Sequence, residues 1–191
     1  MMKAQYINVI KPIVILTAVL ILTAACTQAE NGANAKSPAG QPNTDIQAAV
    51  ITGDLEAVKA HIAAGTDLNQ KEQMTGSTPL ISAATFGKTD IAEALISAGA
   101  DISIQNNDGS TALHSAAFFC RVEIVQLLID ADADKSVRNN FGATARESVM
   151  GPFAEVKPIY EMMAVQLEPF GLQLDMAELE KTRPVIAMML Q

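Results

Sequence analysis

Apolar positions between residues 44 and 137 follow helical spacing, in short runs that glycines interrupt. Ile46, Ala49 and Val50 share one helical face, and Leu55, Val58 and Ile62 share another across Gly53-Asp54. Leu80, Ala83 and Ala84 form the next stripe, ended by Gly87; Ile91, Ala94, Leu95 and Ile96 form a fourth, ended by Gly99. A polar stretch, Gln70 to Thr75, separates the first pair of stripes from the second. The pattern predicts pairs of short helices and almost no strand.

The pairs repeat. Gly76-Ser77-Thr78-Pro79-Leu80-Ile81-Ser82-Ala83-Ala84 returns 33 residues later as Gly109-Ser110-Thr111-Ala112-Leu113-His114-Ser115-Ala116-Ala117. At the same offset Ile91 to Ile96 returns as Ile124 to Ile129, and Ala100-Asp101 as Ala133-Asp134. A fixed period of this size means units that bury their apolar faces only by stacking. The turn glycine, the T-x-L-x-x-A-A run and the closing A-D resemble the ankyrin repeat. That resemblance implies an all-α fold, a short ankyrin-repeat solenoid with a helical C-terminal cap. It also implies non-catalytic protein binding through turn tips and inner helices.

Local chemistry supports the helix limits. Thr78 is placed to cap a helix with its hydroxyl, and Pro79 follows where a missing N–H costs nothing. The first unit lacks its turn and reads as a cap; one extra residue lies in the loop after it, since Gly53 to Gly87 spans 34 positions. In the third unit Cys120 takes the place of Gly87 and Asp132 that of Gly99. Both places favour positive φ, so each substitution costs on the order of 1 kcal/mol. The fourth unit begins with Gly142 and Thr144, then puts Arg146 where Leu is buried and Glu147 where His114 stands, before Gly151-Pro152 stops it. Phe153 to Gln166 is expected to supply its partner helix, giving repeats over residues 44–167 and a helical extension over 168–191. In that extension Asp175 with Glu178 is capping-box-like, Pro184 is expected to split the segment, and Val185 to Leu190 is expected to pack on the last repeat.

The N-terminus is different in kind. Lys3 and Lys11 precede thirteen mostly apolar residues, Ile13 to Ala25, a length that suits a signal peptide better than a membrane span. Leu22-Thr23-Ala24-Ala25-Cys26 resembles the bacterial lipoprotein signal, with Thr23 where Leu is usual. The resemblance implies cleavage after residue 25, lipid on Cys26 and, with Thr27 next, passage to an outer membrane where there is one. Cleavage without lipid and a retained anchor helix are the other readings. Residues 27–43, TQAENGANAKSPAGQPN, cannot bury enough to fold alone and make a tether of 17 residues. As a coil it would reach roughly 20–25 Å.

Charge and composition narrow the function further. The net charge is −8, becoming −10 once Lys3 and Lys11 are removed with the leader, and the thirteen basic residues are scattered. Nucleic acid is therefore not an expected partner. His114 is expected to bond backbone between units, as the resemblance implies, and His61 to lie at the surface. With two histidines and no Cys/His ligand spacing, no metal, cofactor or catalytic residue is expected. Cys120 as a lone exported thiol, and a methionine-rich C-terminal segment as a soft metal site, are the alternatives from redox and metal chemistry.

The binding surface is expected at Met74, Thr75 and Ser77, at Asn107, Asp108 and Ser110, and at Asn140 and Phe141 on the tips. On the inner helices it is expected at Thr85, Phe86, Phe118 and Phe119. Four of the six phenylalanines fall on these positions. The expected molecule is a monomeric protein-binding module on the envelope, held by lipid or soluble in the periplasm. An inhibitor or immunity-type neutraliser of an envelope or secreted enzyme is the alternative from another class.

Overall fold

The computed structural model describes residues 44–191. The leader, the expected lipidation site at Cys26 and the tether lie outside the described residues. Among the described residues there are eight α-helices and no strand: α1 Ile46–Thr52, α2 Leu55–Ala63, α3 Pro79–Phe86, α4 Thr89–Ser97, α5 Ala112–Phe118, α6 Val122–Asp130, α7 Phe153–Leu167 and α8 Met176–Met189. None is long and apolar enough to cross a membrane.

Each inner helix starts on a side-chain cap and is closed by a left-handed residue, Gly53, Gly87 or Cys120. Asp45 accepts from Gln47 and Ala48 N–H, Thr78 from Ile81 N–H, and Thr111 from His114 N–H. Helices this short are marginal alone, so stacking supplies their stability. α1, α3 and α5 pack side by side as an inner row, and α2, α4 and α6 form the outer row behind them. The alanines at Ala83, Ala84, Ala116 and Ala117 are fully buried, which lets neighbouring inner helices approach closely. One continuous core joins them, from Ile46 and Val50 through Leu80, Leu95, Leu113 and Leu128 to Ile186 and Leu190.

The two irregular residues behave as the sequence indicates. Cys120 has φ 54° and Asp132 has φ 60°, the two non-glycine residues of the described chain in the left-handed region.

His61 is not at the surface. Its ring is 6% exposed, with Nδ1 3.1 Å from the Thr66 hydroxyl and Nε2 2.7 Å from the Thr44 carbonyl. It ties the outer helix of the first unit to the chain that enters it. His114 bonds the Thr111 hydroxyl at 2.9 Å and the Ala143 carbonyl of the next unit at 3.2 Å. Burial lowers its pKa, so the ring is neutral in the stack.

The fourth unit departs from the sequence expectation. Thr144 and Glu147 make a capping box, Thr144 N–H donating to Glu147 Oε2 and Glu147 N–H to the Thr144 hydroxyl. The helix it opens lasts only one 3-10 turn, Glu147–Val149. Its partner is not α7. α8, almost thirty residues downstream, packs against both this turn and α6, where an outer helix belongs. Pro184 lies inside α8 rather than splitting it. It stands on an exposed side, as does Glu180 four residues before, so water can satisfy the carbonyl that the proline leaves unpaired. The apolar end does pack inward, with Ile186 and Leu190 buried, while Val185 and Met188 stay exposed. Arg146, half-buried, donates to the Ala187 carbonyl at 3.0 Å, and Lys135 to the Gln191 carbonyl at 3.2 Å. Two cations thus hold the C-terminal carbonyls of α8, where the helix dipole favours positive charge.

α7 is an excursion between the turn and α8. Of its fifteen residues only Tyr160 is buried.

Candidate protein-binding surface

The turn tips form a ladder in which each unit grips the one before. Asn107 N–H donates to the Thr75 carbonyl at 2.8 Å and its side-chain amide to the Met74 carbonyl at 3.1 Å. One unit on, Asn140 N–H donates to the Asp108 carbonyl and its amide to the Asn107 carbonyl, both at 2.9 Å. The asparagine side chains also lie against Gly76 and Gly109, where a Cβ would sit 2.4 and 2.7 Å from the respective amide oxygens. These two glycines are therefore needed for contact as well as for their φ of 69° and 70°. The amides of Asn107 and Asn140 are committed to the stack, which leaves a partner their exposed edges only. Thr75 and Ser77 bond each other at 2.7 Å and Thr75 also bonds Glu72, whose carboxylate closes the longer first loop. Burial alone would raise the Glu72 pKa, but hydrogen bonds from Thr75, Met74 and Ser77 outweigh it and lower the value.

Met74 is the open tip residue, 71% exposed. Asp108 is exposed, and Ser77, Ser110 and Phe141 are half-buried.

The inner row divides in two. At its α3 end, Thr85 and Phe86 are half-buried, with the Thr85 hydroxyl turned back to the Ile81 carbonyl at 3.0 Å. At its α5 end the sequence expectation fails. Phe119 is 4% exposed, and Phe118 is covered by Tyr160 of α7, the rings stacked at 4.6 Å. Phe118 meets Phe119 edge-on at 5.1 Å, and Phe153 stacks on the far side of Tyr160 at 5.9 Å. The two phenylalanines are thus the base of an aromatic cluster in which Phe119 and Tyr160 are buried and Phe118, half-buried, carries the Tyr160 ring of α7 on one face.

This cluster has a polar spine. The Tyr160 hydroxyl donates to the Phe118 carbonyl at 2.6 Å and accepts from Arg183 of α8 at 2.9 Å. Burial pushes the Tyr160 phenol up to about 12, with Arg183 acting in the opposite direction. Cys120 lies beside them, its thiol pushed up to about 11 by burial. Such a thiol is almost wholly protonated at neutral pH and is a poor nucleophile. Redox chemistry at Cys120 therefore has no support in its surroundings.

Lys88 and Arg121, whose place the repeat pattern alone does not single out, complete the surface. They stand 33 positions apart, each directly after the residue that ends an inner helix. Lys88 Nζ lies 3.2 Å from where a Cβ on Gly53 would be, and Arg121 Nε 2.9 Å from the same point on Gly87. Arg121 also donates to the Thr85 carbonyl at 3.3 Å. Their equal spacing is visible in the sequence. Tyr160 and Arg183 are not, because no period connects them to the repeats.

Residues 46–139 match the family model for ankyrin repeats, in three copies. These are ankyrin repeats. The chain is 45% identical over 63 residues to protein phosphatase 1 regulatory subunit 27 of Mus musculus and 44% identical over 63 residues to that of Homo sapiens, covering 33% of this chain and 40% of each relative. It is 37% identical over 60 residues to inversin of Gallus gallus, covering 31% of this chain and 5% of that protein. The chain thus spans less than half the length of these relatives.

Proposed function

We propose that this chain is a non-catalytic protein-binding module whose ankyrin stack takes a partner on the open half of its inner row and on the Met74 tip. The observation that carries the reading is the division of that row. Phe119 is buried and Phe118 carries the Tyr160 ring of α7, whereas Phe86 and Thr85 are half-buried with no aromatic ring stacked on them and Met74 is exposed. Apolar side chains open beside hydrogen-bonded, rigid turns suit a protein partner.

The lipoprotein-like signal supports display on a cell envelope. On this reading Cys26 carries lipid and residues 27–43 tether the stack. Palmitate labelling tests it: label on the native chain that disappears in Cys26→Ala is expected, and equal label on both removes the anchor.

Capture from an envelope fraction tests the binding surface. Phe86→Ala combined with Met74→Ala is expected to abolish capture while leaving the melting temperature within a few degrees. Unaltered capture by the double variant would move the site elsewhere. The relative named as a phosphatase regulatory subunit favours, within this reading, an enzyme as the captured protein. An activity change in that enzyme on adding the purified chain would give the module a neutralising or regulatory role.

A further inference from the structure

Three cations stand at the three homologous C-terminal ends of the inner helices. Lys88 covers Gly53 at the end of α1, Arg121 covers Gly87 at the end of α3, and Arg183 serves the end of α5 beside Cys120. Each comes from the following unit; the third is supplied by α8 in place of a fourth-unit residue. Among the described residues the ion pairs lie elsewhere, at Lys59–Glu56, Arg138–Glu147, Lys157–Glu161 and Lys181–Glu178. No carboxylate of the described residues bonds Lys88, Arg121 or Arg183.

The ends of α3 and α5 meet their cations differently. Thr85 is the repeat equivalent of Phe118. At α5 the cation does not reach the carbonyl directly: Arg183 donates to the Tyr160 hydroxyl, which donates to the Phe118 carbonyl. The chain's own helix α7 thereby places a polar-tipped aromatic side chain between cation and carbonyl. At α3 nothing is interposed. Arg121 touches the Thr85 carbonyl through Nη2 at 3.3 Å, and its buried Nε has no hydrogen-bond partner. Phe86 lies beside it, half-buried.

We infer that two consecutive inner-helix ends, that of α1 with Lys88 over Gly53 and that of α3 with Arg121, Thr85 and Phe86 at Gly87, together take an acidic, aromatic-bearing segment of the partner protein. The inference rests on the reading that the inner row binds a protein and names the chemistry of that protein. Carboxylates of such a segment give Lys88 and Arg121 the counter-charges that the described chain withholds, and its aromatic ring packs on the half-buried Phe86.

A fluorescein-labelled Glu/Tyr copolymer titrated against the full chain, read by anisotropy, tests this. Saturable binding that weakens as salt rises is expected. Lys88→Gln with Arg121→Gln should lose roughly tenfold in affinity, the size of a lost charge-assisted contact. Arg121→Lys should retain most of the binding, and Lys59→Gln with Lys157→Gln should change nothing. If Arg121→Gln lowers the melting temperature, Lys88→Gln alone and Arg121→Lys still decide the matter. The inference is overturned if the copolymer fails to bind, binds the Lys88/Arg121 double variant equally, or is matched by an oligothymidylate of equal charge. A protein captured from the envelope fraction equally by wild type and by this double variant would overturn it too, while leaving the protein-binding reading intact. Copolymer binding with no captured protein would do the reverse.

Discussion

The third repeat and the fourth unit open with the same chemistry and end differently. Thr111 with His114 and Thr144 with Glu147 both make reciprocal caps, yet one is followed by the seven residues of α5 and the other by a three-residue turn. What differs is the next buried position. Leu113 is 1% exposed in the core, whereas Arg146 in the same place turns to the end of α8. A cap can start a helix, but burial sustains it. The fourth unit recovers that burial from Ile186 and Leu190, delivered by a helix far along the chain.

If α8 stands in for a repeat helix, its core residue should matter as much as one inside a repeat. Ile186→Ala and Leu113→Ala are each expected to cost about 2–5 kcal/mol, read by denaturant unfolding. A cost well under 1 kcal/mol at Ile186 alone would reduce α8 to an appendage. The aromatic cluster should show the next largest effect. Tyr160→Phe keeps the ring but leaves Arg183 buried without its acceptor, so a loss of about 1–3 kcal/mol is expected. A smaller gain should come from Asp132→Gly, which relieves an exposed positive φ and should add about 0.5–1 kcal/mol. The equivalent Gly99 already has this backbone, so Gly99→Asp should show the opposite sign.

The smallest effect is a pH dependence at the joint between the two units. The His114 pKa is lowered from 6.5, so the unfolded state binds the proton more readily than the stack does. Stability from this group is complete above about 6.5 and declines as pH falls below it. His114→Gln should flatten the melting temperature between pH 7 and 5, and an unchanged slope would assign the dependence to the carboxylates.

The stack was legible because its cause is local and written twice: Thr78 and Thr111, the alanine pairs, and the glycines before each copy. Cys120 and Asp132 were recognised as left-handed for the same reason, by standing where glycines stand. The exposure of Met74 at the tip and the half-exposed place of Phe86 follow from register alone. The Tyr160 ring on Phe118 does not, because the offset that gives Phe118 its place on the inner row says nothing of α7 reaching it. His61 was misplaced for a similar reason, since its acceptor at Thr44 belongs to the incoming chain. Pro184 looked like a break because a proline's cost depends on which carbonyl it orphans and whether water can reach it.

The displaced outer helix has a consequence for how this molecule comes apart. Stacked repeats ordinarily fray from their ends, each unit leaning only on its neighbour. Here the last unit is shut by a segment that must first travel out along α7 and come back. That return is a loop closure, and its entropic cost grows only slowly with the length of the excursion. Once closed it acts as a clasp, so the final turn cannot open without releasing α8 from α6. Hydrogen exchange at Val149 should therefore follow that of α6 rather than that of a loose end.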